Sequence, residues 1–160
     1  MDADFATRFE ELYRVAHRAS YGVLGVRAEA EDCAQEALAR ALVRWDRIEG
    51  YAPAWVARVS VNLALDVVRK QQRNARRVTR PQEEPADANE LSERRRDLAV
   101  ALAALPRRQR EAIVLRYLVD LPEAETAGVM GCTVGTIKST VARGLHRMQS
   151  QLGPRWAWDD

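Results

Sequence analysis

The residues best suited to binding chemistry lie near the C-terminus, in the segment GCTVGTIKSTVARGLHRM at residues 131–148. This segment contains no Asp or Glu, but it does contain Lys138, Arg143, His146 and Arg147. Apolar residues recur at three- and four-residue steps, which predicts an amphipathic helix with an inward stripe of Val134, Ile137, Val141, Leu145 and Met148. The opposite face is expected to carry Thr136, Lys138, Ser139, Thr140 and Arg143. A small, polar and cationic helix face of this kind fits the major groove of DNA.

A surface helix can also lack acids by chance, because a run of charge is most often only a solvated face. The preceding segment LPEAETAGVMG favours the binding interpretation. Pro122 suits a first helical turn and Gly131 suits a helix end that needs a positive φ. Thr133 is placed to cap the next helix, and the small residues Ala124 and Ala127 would let the two helices cross closely. A short helix, a tight turn and a longer basic helix together predict a helix-turn-helix.

Residue types that support catalysis or hold metals are scattered along the chain. His17 and His146 lie far apart, no Ser or Cys has a nearby base, and no glycine-rich phosphate loop is present. Cys33 and Cys132 match no metal-ligand spacing and are best explained as packed, reduced thiols. We therefore expect no enzymatic activity, no catalytic residue, no cofactor and no metal.

The charge of the chain is distributed unevenly along its length. The net charge of +2 is too small to predict a general affinity for polyanions. Residues 1–36, however, hold eight acidic and four basic residues, whereas residues 69–80 hold six basic residues and no acidic one. This asymmetry predicts two kinds of partner surface. No stretch has the length of a membrane span or the apolar core of a secretion signal, so we expect a cytoplasmic protein without membrane insertion.

Helical periodicity dominates the sequence and predicts an all-α protein of two small domains. Trp45 and Trp55 are expected in the core of the first domain. Between residues 74 and 90 apolar residues nearly vanish and two prolines occur, which predicts a flexible linker. The second domain ends in the helix-turn-helix, and a tail containing Trp156 and Trp158 follows. The first domain, the linker, the second domain and the tail are therefore residues 1–73, 74–90, 91–152 and 153–160.

Two helices of the first domain each carry a polar row that is suited to binding a partner. The second helix places four acidic or amide side chains opposite its apolar stripe: Glu31, Asp32, Gln35 and Glu36. In the third helix, Asn62, Asp66 and Arg69 follow one another at steps of four and three residues. Asn can bond a base edge, and Arg69 and Lys70 can hold phosphates. Both rows also have structural explanations, as an acidic face near a helix start and as a polar helix junction.

Three segments, taken in this order, resemble bacterial sigma factors of the extracytoplasmic-function (ECF) group, and within it the actinobacterial sigma-E-like subfamily. EAEDCAQEALARA resembles the helix with which these factors bind RNA polymerase. AWVARVSVNLALDVVRK resembles the helix that reads and melts the minus-ten promoter element. The segment from LPRRQREAIVLRYLVDLPEAETAG to the basic helix looks like the domain that binds the minus-thirty-five element. The resemblance covers nearly the whole chain except the linker and the tail.

The resemblance implies a factor that binds core RNA polymerase and directs promoter-specific transcription initiation. The implied partners are promoter DNA, an anti-sigma factor, and core polymerase through its β′ coiled coil and β flap. The implied polymerase-binding residues are Glu31, Asp32, Gln35 and Glu36. The implied minus-thirty-five contacts are Thr136, Lys138, Ser139, Thr140 and Arg143. The implied minus-ten contacts are Asn62, Asp66, Arg69, Lys70 and, in a loop that captures a flipped base, Tyr51.

One position departs from the family pattern, and two other functions stay open. Thr140 stands where many ECF members have an Arg, which implies that DNA binding depends less steeply on salt and that the base preference differs.

A stand-alone helix-turn-helix regulator would also use the basic helix, although it needs neither polar row of the first domain. A helical adaptor that binds only protein is the third alternative, but it leaves the acid-free helix unexplained.

Overall fold

The computed structural model describes residues 3–77 and 90–154, and these residues form helices and turns without a strand. The helices are α1 (Ala3–Leu24), α2 (Arg27–Val43), α3 (Trp45–Ile48), α4 (Ala52–Arg77), α5 (Glu90–Ala103), α6 (Arg107–Ile113), α7 (Glu123–Met130) and α8 (Val134–Leu152). A 3-10 turn (Glu49–Tyr51) precedes α4, and a π-helical turn (Val114–Leu118) extends α6. The predicted all-α class is confirmed. The tail residues Trp156 and Trp158 lie outside the described residues.

Helices α1 to α4 form an N-terminal unit in which α1, α2 and α4 pack against one another. Small residues line the contacts, and Ala16, Ala34 and Ala37 are completely buried. The hydroxyl of Ser20 in α1 donates to the carbonyl oxygen of Ala30 in α2 at 3.1 Å, so a hydrogen bond also joins these two helices where they approach closely. Trp45 and Trp55 are buried in the same core, which confirms their predicted structural role.

Helices α5 to α8 form a C-terminal unit that contains the predicted helix-turn-helix. Gly131 ends α7 in the left-handed conformation with φ of 63°, and Thr133 caps α8 by accepting a hydrogen bond from the Thr136 amide at 3.1 Å. Both features were predicted from sequence and are confirmed. Ala127 is buried, but Ala124 is exposed, so only Ala127 can serve the predicted close approach of the two helices.

The two units share a hydrophobic core. Helix α4 packs on α5, and α1 packs on α5 as well. Val61, Leu65 and Val68 of α4 belong to the same buried cluster as Leu102 and Ile113 of the C-terminal unit. Burial of apolar area from both sides stabilises this arrangement by removing the surface from water. The described residues of the two units therefore pack together.

Helical structure extends into both ends of the segment that the sequence predicts as a linker, residues 74–90. Helix α4 continues through Asn74 to Arg77, and Glu90, predicted as the last linker residue, begins α5. The end of α4 is fully solvated, so it lacks the apolar residues that would have marked it as helix. Its Gln and Arg residues are good helix formers. Arg76 and Arg77 lie in the last turn, where their positive charges interact favourably with the negative end of the helix dipole and stabilise the helix. The remaining linker residues, 78–89, lie outside the described ranges.

Candidate nucleic-acid interface

The outer face of α8 is exposed and held in a regular helix. Thr136, Lys138, Ser139 and Arg143 are all exposed, as predicted. The Ser139 hydroxyl donates to the Thr136 carbonyl at 3.1 Å, and Arg143 Nε donates to the Ser139 carbonyl at 3.2 Å. Lys138 Nζ lies 3.6 Å from Glu123 Oε2 at the start of α7. This exposed ion pair joins the two helices of the motif, and water screening keeps its contribution to stability small.

Thr140 does not belong to this outer face, so its predicted placement is corrected. Its side chain is only 7% exposed. It follows Ile137 by three residues and precedes Gly144 by four, and both of these neighbours are buried against the rest of the C-terminal unit. The polarity of a threonine predicted an outward position, whereas the helix geometry turns this residue inward. The exposed polar face predicted for α8 is therefore narrower than expected, and the predicted cations Lys138 and Arg143 remain on it.

The polar row of α4 is formed as predicted, but part of it is in contact with the C-terminal unit. Arg69 Nη1 bonds Asp66 Oδ1 at 2.7 Å, and Arg69 Nη2 donates to the carbonyl oxygen of Ala103 in α5 at 2.7 Å. Asn62 Oδ1 accepts a hydrogen bond from Arg110 Nε of α6 at 3.3 Å. The structure thus brings Asn62, Asp66 and Arg69 together with a cation from the other unit.

Tyr51 and Lys70 flank this cluster on either side along the helix. Lys70 is exposed one residue beyond Arg69. Tyr51 is 39% exposed in the 3-10 turn that precedes α4. At about 1.5 Å per residue, the eleven positions between Tyr51 and Asn62 span roughly 16 Å along the helix axis. A nucleic-acid strand that contacts both Tyr51 and Asn62 would therefore run along α4 over several nucleotides.

Sequence reasoning missed Arg110 as a member of this cluster. Besides its bond to Asn62, it donates through Nη1 to the Leu105 carbonyl at 3.1 Å. Burial lowers the pKa of Arg110, and the nearby positive charge of Arg69 lowers it further. The segment LPRRQR contains several cations at neighbouring positions, and nothing in their spacing distinguishes the one that faces the other unit.

The acidic row of α2 is largely available to a partner. Asp32, Gln35 and Glu36 are exposed, and Glu31 is half-buried. Two of the carboxylates pair with cations of their own helix: Glu31 with Arg27 at 2.8 Å and Glu36 with Arg40 at 2.7 Å. Such exposed pairs exchange readily for other partners because each contributes little stability.

The apolar side of α2 holds Cys33 beneath this row. Burial raises the pKa of the Cys33 thiol to about 11, with the nearby carboxylates of Asp32 and Glu29 adding to the effect. A buried thiol that stays protonated is a packing residue, which agrees with its predicted role.

The described parts of the chain were searched for groups that could hold a metal ion and for helices that could cross a membrane, and they contain neither. Within residues 3–77 and 90–154, no group of three or more His, Cys, Asp or Glu residues could hold a metal ion. No helix in these ranges is both long enough and apolar enough to cross a membrane.

Comparison with known proteins relates both units to a single family. The family model for sigma-70 region 2 matches residues 8–74, and the model for sigma-70 region 4 matches residues 95–148. The RNA polymerase sigma-E factor of Streptomyces coelicolor is 34% identical over 152 residues, which cover 93% of this chain and 84% of that protein. The ECF RNA polymerase sigma factor SigW of Bacillus subtilis is 28% identical over 160 residues, covering 89% of this chain and 83% of SigW.

A solved structure has a similar fold. It is the sigma factor RpoE from Bartonella quintana, crystallised in complex with the anti-sigma factor NepR. RpoE aligns with a TM-score of 0.55 and 26% identity, over 94% of this chain and 98% of RpoE.

Proposed function

We propose that this chain divides promoter recognition between α8 and α4. The chain belongs to the sigma-70 family and is an ECF sigma factor that directs transcription initiation. The observation that carries this proposal is the exposed, acid-free face of α8 within a helix-turn-helix. Initiation chemistry then belongs to the polymerase, and this chain itself performs no reaction. Its place of action is the cytoplasm, where the polymerase meets the chromosome.

Helix α8 binds the minus-thirty-five element in the major groove. Thr136 and Ser139 are short and exposed, so they allow the helix to approach the base edges closely. Lys138 and Arg143 supply the cations for phosphates or guanine edges. Because Thr140 is buried, its influence on base preference is indirect and operates through the packing of α8.

Helix α4 binds the minus-ten element and assists strand opening. The amide of Asn62 can bond a base edge, and Arg69 and Lys70 can hold the phosphates of the same strand. Tyr51 offers a partly exposed ring on which a base flipped from the stack can rest. Asp66 orients Arg69 through their 2.7 Å bond.

The acidic row of α2 binds core polymerase. Asp32, Gln35 and Glu36 offer exposed acceptors to a basic helix, which the β′ coiled coil of the polymerase would supply, and Glu31 extends the row. The N-terminal unit, residues 1–73 with the helical extension to residue 77, would then hold polymerase and the minus-ten strand. Residues 91–152 would read the minus-thirty-five element and meet the β flap. A relative bound to the anti-sigma factor NepR supports an anti-sigma factor as a further partner.

A transcription experiment tests this assignment. Core RNA polymerase of Streptomyces coelicolor, the organism of a similar sigma-E factor, is mixed with the chain and actinobacterial genomic DNA, and the 5′ ends of transcripts are sequenced. We expect new start sites that share upstream elements and that core polymerase alone does not use. The absence of new start sites would refute the proposed function.

Two variants then test the α8 assignment on one of these promoters. Lys138→Ala combined with Arg143→Ala should reduce transcription at low polymerase concentration and make promoter binding less dependent on salt, because two phosphate contacts are lost. Arg14→Ala combined with Arg18→Ala is the matched control, since it also removes two exposed cations, from α1 and not from the helix-turn-helix. Equal effects of the two changes would show that only net charge matters.

A further inference from the structure

An apolar groove of about 670 Å³ lies between α1, α5, the π-helical turn and α8. Apart from two arginines and the hydroxyl of Tyr117, the side chains that line it are apolar, and they include Val23, Leu98, Leu102 and Met148. Pockets that bind ligands typically have volumes of about 300–1,000 Å³ and a mostly apolar lining. This groove is therefore large enough to hold more than one aromatic ring.

The two arginines belong to α5 and give one edge of the groove a positive charge. Arg95 is half-buried, and its guanidinium lies 5.9 Å from the centre of the Tyr21 ring in α1. Arg94 is exposed. The groove thus suits an occupant that combines aromatic side chains with an acidic group.

The sequence RWAWDD, residues 155–160, has this composition and follows the described part of the chain. Trp156 and Trp158 are two positions apart, so an extended backbone places both indoles on the same side. A tryptophan can bury about 150–250 Å² of surface. The acids Asp159 and Asp160 follow directly. Both the apolar surface and the charge of this segment complement those of the groove.

The end of α8 brings the start of the segment close to the groove. Met148 of α8 lines the groove, and α8 ends four residues later at Leu152, where Gly153 with φ of 75° redirects the chain. Leu152 lines a smaller pocket together with Asp97 of α5, and Asp97 lies about one helical turn from Arg94. Six residues span up to about 20 Å when extended, at ~3.3 Å each, which is enough to reach the charged edge.

The order of charges along the segment fits the same path. Its cation, Arg155, directly follows Pro154 and would meet the exposed Asp97 first. The acids come four and five residues later and would meet the arginines of α5. Each charge of the segment therefore finds an opposite charge.

We propose that residues 155–160 bind this groove of their own chain, with Trp156 and Trp158 against its apolar lining and Asp160 beside Arg94. The bound segment removes apolar surface of α1, α5 and α8 from water, which favours the contact. The inference goes beyond the proposed function and does not depend on it, because it concerns contacts within the chain and its tests use neither DNA nor polymerase.

A spin-label experiment on the full chain tests where the segment lies. The chain is produced with 5-fluorotryptophan, and the fluorine NMR signals of its four tryptophans are assigned by single Trp→Phe changes. The native thiols are removed by Cys33→Ala and Cys132→Ser. A nitroxide is then attached through Tyr117→Cys, since Tyr117 lines the groove and is 60% exposed. Val43→Cys is the matched control site, because Val43 is 82% exposed at the end of α2 and does not line the groove.

We expect the nitroxide at position 117 to broaden the signals of Trp156 and Trp158, and the nitroxide at position 43 to leave them sharp. The label at position 43 should instead broaden the signal of Trp45, two residues away, which verifies that this label is active. Segment signals that respond equally to the two labels overturn the proposal.

A mixing experiment distinguishes the chain's own segment from that of a second copy. A spin-labelled chain without fluorine is mixed with a fluorinated chain without a label. We expect no broadening between the two chains. Broadening in the mixture that matches the broadening within one labelled chain overturns the proposal, because the segment of a second copy then occupies the groove.

Charge reversal tests the contact at the edge of the groove. Arg94→Glu should lower the bound fraction of the segment, measured by broadening from position 117, by about two- to five-fold, as expected for loss of an exposed ion pair. Adding Asp160→Arg to this variant should restore the broadening. Arg96→Glu is the matched control, because Arg96 is also exposed on α5 but does not line the groove. Equal effects of Arg94→Glu and Arg96→Glu overturn the proposal.

Discussion

Gly144 is the position at which a single added methyl group should most directly test the packing of the helix-turn-helix. It is buried in the middle of α8, facing α6. A Cβ at this position would lie 2.6 Å from Ile113 Cδ1 and 3.3 Å from Gln109 Cβ. Gly144→Ala therefore forces the buried Ile113 side chain to move or α8 to shift away from α6.

Two opposing effects determine the magnitude. Replacing Gly by Ala inside a helix stabilises it by about 1 kcal/mol, because the unfolded chain loses conformational freedom. Overpacking a buried contact costs about 1–3 kcal/mol. The distance of 2.6 Å is shorter than any ordinary carbon–carbon contact, so we take the middle of that range and expect a net loss of about 1 kcal/mol in the free energy of unfolding.

Gly128→Ala in α7 provides the matched control, because a Cβ there meets no heavy atom within 4 Å. That change should stabilise the chain by about 0.5–1 kcal/mol. Urea unfolding followed by circular dichroism should separate the two variants by roughly 2 kcal/mol, or about 1 M in midpoint for a typical slope. If Gly144→Ala is as stable as Gly128→Ala, the close approach of α8 and α6 is not what the structure describes.

Three further predictions concern the polymerase surface, the melting surface and the thiols. Asp32→Ala combined with Glu36→Ala should weaken the binding of core polymerase in pull-down experiments and leave the helical circular dichroism unchanged, because both side chains are exposed; unchanged affinity would contradict the assigned surface. Asn62→Ala should preserve binding of the holoenzyme to duplex promoter but reduce permanganate-detected melting, because base capture follows unstacking; intact melting would leave Asn62 a structural role only. Because the raised pKa of about 11 keeps Cys33 protonated below that pH, iodoacetamide at pH 9 should modify Cys132 well before Cys33, as mass spectrometry can check, and equal rates would refute the burial of Cys33.

The sequence by itself determined the features that depend on neighbours within one helix. Periodicity of 3.6 residues predicted an all-α chain and the burial of Trp45 and Trp55. The local chemistry of a left-handed glycine and a threonine cap predicted the turn between α7 and α8, because Gly131 and Thr133 act on backbone groups two or three residues away. The resemblance of three ordered motifs, rather than periodicity, indicated the family.

Predictions from local sequence patterns differ from the structure where a polar residue is buried or where a helix end is fully solvated. Thr140 was predicted outward because threonine is polar, yet α8 packs so closely on the rest of its unit that the inward stripe is wider than its apolar residues indicate. Asn74–Arg77 were predicted as linker because they lack apolar residues, yet a solvated helix end needs none.

Only the tertiary structure decided which partners the polar residues of α4 have. Asn62 bonds an arginine 48 residues away, and Arg69 bonds a carbonyl 34 residues away. A helical period specifies which face of α4 these side chains share, but it contains no information about which distant segment packs on that face. That choice depends on how the apolar surfaces of the two units fit together, because this fit brings Arg110 and the Ala103 carbonyl within bonding distance.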